Sequence, residues 1–165
     1  MRRERGPYRY QRMQILEGFI NDAYRSARKP RGPMQCPRCG TVFRRGRWSW
    51  GAAPAGARRS LCPACRRIEE RYPAGYVNIS GSFSRAHRDE ILQRVRNCEA
   101  REKAEHPLER IMAIETVSDG VLVSTTSVHL ARMLAHRLQQ SFKGDLSVSY
   151  NKEDNLLRAR WSRER

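Results

Sequence analysis

Two matched cysteine pairs, Cys36-Pro37-Arg38-Cys39-Gly40 and Cys62-Pro63-Ala64-Cys65, carry the clearest chemistry in the sequence. Together they supply four thiolates, the number that tetrahedral zinc takes in a closed structural site, at about 2.3 Å per Zn–S bond. The short turn inside each pair aims both sulfurs inward and lets backbone N–H groups donate to them. The gap from Gly40 to Leu61 is 22 residues. That slightly exceeds the usual spacing of roughly 15–20, and the Pro54 to Gly56 loop accounts for the excess. The reading is one structural Zn2+ held by Cys36, Cys39, Cys62 and Cys65. Four thiolates leave no position for a reacting water, which argues against metal catalysis. A thioredoxin-type role needs a single CxxC in a βαβ context, and none is found.

The remaining reactive groups form no comparable set. Cys98 lies on the apolar stripe of an expected helix, where a small buried hydrophobe is its ordinary role. His87, His106, His129 and His136 are scattered; His129 and His136 are seven apart on one expected helix but have no third ligand at fixed spacing. No phosphate-binding glycine loop, nucleophile elbow or paired-carboxylate site is recognisable. The expectation is a protein without enzymatic activity.

Charge points to the partner. The chain has 165 residues and a net charge of +16, unevenly spread. Residues 1–71 hold 18 Lys and Arg against 5 Asp and Glu, a net +13; the rest holds 15 against 12, a net +3. Lys29 is the only Lys in that first part, and the other basic residues there are Arg. The Arg fork suits phosphate and also stacks on bases, whereas Lys acts as a point charge. Between and beside the cysteine pairs, Arg44, Arg45, Arg47, Arg58, Arg59, Arg66 and Arg67 surround Trp48 and Trp50. Interleaved guanidinium and indole groups suit structured or single-stranded RNA. The candidate RNA contacts are these residues with Arg25, Arg28, Lys29 and Arg31 of the preceding segment. Trp48 and Trp50 also admit a structural reading. Strand alternation puts them on one face, where they would cover the metal site in a module with few other apolar groups.

The elements that must position these groups fall into four segments. Residues 1–35 read as an Arg-rich arm with a weak helical period over 9–24; it has too little apolar surface to fold alone and would order on a partner. Residues 36–83 hold the metal module: a knuckle, a short hairpin turning through Arg44-Arg45-Gly46, and a helix opening at Pro63, a tolerated first helical position. This is the layout of a treble-clef or zinc-ribbon unit. Residues 84–106 read as a linking helix capped by Ser84, with Ile91, Leu92, Val95 and Cys98 in one stripe. Residues 107–165 read as ββαββ: a hairpin around Ser118-Asp119-Gly120, a helix capped by Ser127 and ended by Gly144, then a hairpin around Lys152-Glu153-Asp154. The expected fold class is α+β, with one helix of this last domain over a four-stranded sheet.

Several strings also carry a resemblance: Cys36-Pro37-x-Cys39-Gly40, Gly46-Arg47-Trp48-x-Trp50-Gly51, Cys62-Pro63-Ala64-Cys65-Arg66-Arg67-Ile68 and Tyr72-Pro73-Ala74-Gly75-Tyr76-Val77. With them go His87-Arg88-Asp89-Glu90-Ile91, the run from His106 to Glu115, Asp119-Gly120 and Val128-His129-Leu130-Ala131-Arg132. Over about residues 22–161 the chain resembles a bacterial zinc-ribbon family. More distantly, it is similar to the archaeal and eukaryotic nuclear export adaptor of the large ribosomal subunit. The resemblance implies a ribosome-binding protein in contact with rRNA. The four cysteines carry over as ligands, and Asp119 and Gly120 as turn formers. Export does not carry over, because no nuclear export signal is recognisable.

The combined expectation is a zinc-containing factor that binds the ribosome, its rRNA and ribosomal proteins, acting in hibernation by occupying a functional site. Ribosome assembly or quality control, and a DNA-binding zinc-ribbon regulator, are the alternatives. No apolar run reaches the ~20 residues a membrane span needs, no secretory h-region follows the basic N-terminus, and paired CxxC motifs suit a reducing compartment. The expected location is cytoplasmic, with neither a membrane nor a small-molecule substrate as partner.

Overall fold

The computed structural model describes residues 22–24 and 30–165. Nearly all of the expected N-terminal helix over 9–24, together with Arg25, Arg28 and Lys29, lies outside the described residues. The described chain is α+β, with two sheets and four helices.

The first sheet is built from very short strands: β1 (Met34–Gln35), β2 (Val42–Arg44), β3 (Arg47–Ser49) and β4 (Arg58–Arg59), in the order β3-β2-β1-β4. β2 and β3 form the expected hairpin, with Phe43 opposite Trp48 and Arg44 opposite Arg47. Its two turn residues, Arg45 and Gly46, both have positive φ, 53° and 83°. A two-residue turn with both φ positive matches the right-handed twist of the flanking strands. Arg45 adopts that conformation against the steric preference of an L-residue, at a cost of roughly 1 kcal/mol.

Helix α1 (Pro63–Glu70) opens as expected at Pro63, with Cys62 as its N-cap. It ends at Arg71, whose φ of 53° is left-handed and whose N–H reaches back to Arg67 and Ile68 carbonyls.

The second sheet differs from expectation by one strand. It contains β5 (Gly75–Ser80), β6 (Ile111–Val117), β7 (Gly120–Thr125), β8 (Asp145–Asn151) and β9 (Leu156–Ser162), in the order β6-β7-β5-β9-β8. The two expected hairpins, β6–β7 and β8–β9, do not touch each other; β5 lies between them, antiparallel to β7 and parallel to β9. β5 comes from residues that the sequence reading grouped with the metal module. Its alternation, with Val77 and Ile79 buried and Tyr76 and Asn78 half-buried, is the period-2 signal of a sheet with one covered face.

Helix α4 (Val128–Phe142) packs on this sheet, capped by Ser127, whose Oγ accepts from Leu130 N at 2.9 Å. Leu130, Leu134, Leu138 and Phe142 on one helical face join Val77, Ile79, Val123, Leu157 and Trp161 in the main core. Gly75 permits the close crossing, since a Cβ there would lie 2.4 Å from Ala131 Cβ.

The expected linking helix is broken in two. A short helix α2 (Ser82–Ala86) precedes α3 (Arg88–Glu105), with His87 at the junction. Ser84 therefore does not cap α3; it is buried inside α2 and its Oγ donates to Gly81 O at 2.7 Å. The break lets Phe83 turn inward against Phe142, with the His87 ring stacked on it at 4.2 Å. The predicted stripe on α3 is otherwise as read: Ile91, Leu92 and Val95 are buried, and Cys98 is half-buried against the same core.

Candidate metal centre and its basic surface

Each sulfur is placed by local backbone geometry. Cys36 follows β1, and its N–H donates to Thr41 O at 2.8 Å while its carbonyl accepts from Gly40 N at 2.9 Å, closing the first knuckle. Gly40 takes a φ of 80°, the left-handed value this tight turn requires. Cys62 is at once ligand candidate and helix cap: its Sγ accepts from Cys65 N at 3.3 Å. One helical turn then brings Cys65 to the same side.

The four sulfurs of Cys36, Cys39, Cys62 and Cys65 all lie within 4.8 Å of one another. The Cys39–Cys62 Sγ separation is 3.7 Å. A tetrahedron with bonds of about 2.3 Å has an edge of ~3.8 Å, so the spacing fits one structural metal ion. Cys36, Cys62 and Cys65 are 0 to 2% exposed, and four sulfurs complete the coordination. Bound there, the ion would cross-link the knuckle to the helix start, a structural role without an open position.

The thiols do not ionise alike. Burial pushes Cys39 up, but hydrogen bonds from Thr41 and Arg110 override it and hold the thiol down at about 6. Burial, and after it the neighbouring thiolates, push Cys62 and Cys65 up. Four sulfurs packed this tightly are costly to ionise together unless a cation sits among them.

Arg110 supplies the second positive charge, and sequence reasoning did not single it out. The residue is 7% exposed and comes from the segment leading into β6. Its Nη1 donates to Cys65 Sγ at 3.2 Å, and Nη2 lies 3.9 Å from Cys62 Sγ. The guanidinium is held in place by Nε donating to Pro107 O at 2.7 Å. The backbone is held too, with Arg110 N donating to Thr126 Oγ1 at 2.9 Å. Four thiolates around a divalent ion carry a net charge of −2, and a buried guanidinium offsets part of it. The only trace in the sequence is an Arg within the His106 to Glu115 run; nothing local says that it returns across 45 residues to Cys65.

The tryptophans divide along structural lines. Trp48 is half-buried and packs on the cysteine cluster, with Phe43 at 5.5 Å. Trp50 is 40% exposed, yet its Nε1 donates to Lys103 O at 2.7 Å and Arg110 lies over its ring at 6.0 Å. Leu108 completes the cover of the cluster. The metal module is thus seated on the end of α3 and the start of β6 through Trp50, Arg110 and Leu108.

The arginines named from sequence also divide. Arg44, Arg45, Arg47, Arg58, Arg59, Arg66 and Arg31 are exposed. Among the described residues, none of Arg44, Arg45, Arg47, Arg59 and Arg66 pairs with a carboxylate. Arg58 donates to Arg31 O at 3.0 Å. Arg67 is different: it is 2% exposed, pairs with Asp22 at 2.6 Å, donates to Tyr72 O at 2.9 Å and stacks on the Tyr24 ring at 4.3 Å. It is structural and is withdrawn from the candidate RNA contacts. An open groove of about 430 Å³ runs beside the hairpin turn, lined by Pro33, Phe43, Arg44, Arg45 and Pro54 among others.

No described helix is long and apolar enough to cross a membrane. No protein-family model, curated protein or solved structure matches this chain.

Proposed function

We propose that this protein is a zinc-stabilised, non-enzymatic factor of the cytoplasm that binds ribosomal RNA on the ribosome. The observation that carries the reading is the Arg44-Arg45-Gly46-Arg47 turn. Its three guanidinium groups are exposed and have no carboxylate partner among the described residues. It is joined through β2 to a four-sulfur cluster. Arginines on a fixed turn have their backbone ordered before meeting phosphate, which favours binding over mere solubility. The charge of +13 in residues 1–71 acts in the same direction. Zinc is the natural occupant of four thiolates at tetrahedral spacing.

Within that class we favour hibernation, the occupation of a functional site by a preformed body. Trp50 ties the metal module to α3 and Arg110 ties it to the segment before β6, so the arginine surface travels with a rigid mass and not on a free tether.

The test is sedimentation. Lysates of growing and stationary cells are run on sucrose gradients at low salt and blotted for the protein. Co-migration with whole ribosomes in stationary cells is the expected result. Co-migration confined to precursor subunits in growing cells moves the role to assembly. A protein that stays at the top of both gradients sinks the ribosome reading.

A further inference from the structure

Helix α4 lies on one face of the five-stranded sheet, over Val77, Ile79, Ala159 and Trp161, and α3 packs against α4 in the same core. Among the described residues no helix is laid across the opposite face. The strand registers place Tyr76 beside Arg158, and Asn78 beside Arg160, at the centre of that face. Ser149 and Ser147 flank the two arginines on β8. We propose that this helix-free face binds unstacked nucleotides of single-stranded RNA, as a second contact surface separate from the hairpin arginines. It rests on the RNA reading above.

Three features support that occupant. The Arg158 guanidinium lies over the Tyr76 ring at 5.1 Å, so an aromatic plane and a cation are already layered in the way a base would continue. Arg160 is exposed one step along the strand, about 6.7 Å away, with no carboxylate partner among the described residues. The acidic residues of the face, Glu115 and Asp145, stand on the two edge strands. Glu115 is three strands from Arg160, about 14 Å, beyond the ~8 Å screening length at physiological salt, whereas Asp145 is one strand across and two residues along, about 8 Å. The centre of the face is therefore positive. The Asn78 side chain is half-buried there, its Oδ1 covered and without a donor among the described residues. Single-stranded RNA is held by aromatic stacking and backbone charge, and both are present within two neighbouring strands. Exposed Tyr72, just beyond α1, is four residues from Tyr76, at most ~14 Å of chain.

The test uses the full-length, metal-loaded protein and 5′-fluorescein-labelled (rU)12, followed by anisotropy over a range of salt concentrations. Tyr76→Ala is expected to weaken binding about tenfold, and Tyr76→Phe to leave it unaltered, because the ring face is the contact. Arg158→Gln with Arg160→Gln is expected to make the log–log salt slope shallower by about 1.4. The arginines are exposed, so this pair stays informative even if Tyr76→Ala unfolds. Unaltered affinity and slope in both sets, with metal content and unfolding midpoint intact, overturn the platform; that is also the outcome if the face serves a protein partner. In that case a loss on Arg44→Glu, Arg45→Glu and Arg47→Glu in the same titration keeps the RNA reading alive. If wild type binds neither (rU)12 nor a structured rRNA hairpin, both proposals fall together.

Discussion

Arg110 Nη1 lies 3.2 Å from Cys65 Sγ, so a side chain at the start of the second sheet's edge strand completes the environment of the metal centre in the first. The contact is buried, with the two residues 7% and 2% exposed. Buried charge is tolerated only when paired, so each module supplies what the other needs.

Removing that pairing should loosen the metal. Arg110→Gln is expected to raise the rate of metal release to a chromophoric chelator by 10- to 100-fold, the usual effect of losing an outer-shell partner. Arg110→Lys should fall between, since an ammonium keeps the charge but lacks the fork that reaches Pro107 O and the sulfurs together. Equal release rates in all three proteins would reduce Arg110 to a packing residue.

The metal module has a small buried core, the cluster of Cys36, Cys62, Ala64 and Cys65 with Met34 and Val42 on the short strands beside it. A core that small does not hold a fold without a cross-link. Cys62→Ser is expected to abolish stoichiometric metal and to expose the amides of residues 36–72 to rapid hydrogen exchange. Protection across β7, β9 and α4 should persist, because their core contains no cysteine ligand. Slow exchange in 36–72 without metal would contradict this.

Charge reversal at the hairpin tests the RNA surface directly. Arg44→Glu, Arg45→Glu and Arg47→Glu together should weaken binding to an rRNA fragment and flatten its salt dependence, each lost phosphate contact removing ~0.7 to 0.9 from the log–log slope. The fold should be unaffected, since all three side chains are exposed. A full-strength slope in the triple variant would move the phosphate contacts elsewhere.

Close packing at Gly75 is expected to be intolerant. Gly75→Ala places a methyl 2.4 Å from Ala131 Cβ, an overpacking that costs about 1–3 kcal/mol. Thermal unfolding should show a lowered midpoint, and Ala131→Gly in the same chain should restore part of it. A double variant no better than Gly75→Ala would locate the strain at Thr125 Oγ1, 2.8 Å from the same Cβ position.

His136 gives a pH signature. Burial, and after it the charge of Arg132, lowers its proton affinity in the folded state. The unfolded chain binds the proton near the ordinary value of about 6.5, so the folded state takes it up only at lower pH. Stability is then complete above about 6.5 and is lost as the pH falls toward the depressed folded value. His136→Gln is expected to shrink the drop in unfolding midpoint between pH 7.5 and 5.5. An identical drop in the variant would remove His136 as its cause.

Much of the local structure was written in neighbouring residues. CxxC spacing, Pro63 after Cys62, the Arg45-Gly46 turn, Asp119-Gly120 and Ser127 as a cap all act within a few residues, and each element they specify is found. The misses have a common cause. Ser84 looked like a cap because its type suits one, but the inward turn of Phe83 against Phe142 broke the helix at His87. Arg67 looked like a phosphate contact because it stands among exposed arginines, but its helical phase turns it inward onto Asp22 and Tyr24.

Composition and spacing alone name the four-cysteine group and its charge surroundings, because four thiols and a run of arginines are legible residue by residue. Which arginine guards the sulfurs, and that β5 divides the two hairpins, came from tertiary packing. Those outcomes depend on pairing between segments tens of residues apart, where loop closure and shared burial choose among partners that no local pattern distinguishes. Arg110 and Arg67 are the same residue type in similar company; distance to Cys65 in one case, and to Asp22 in the other, made them different parts.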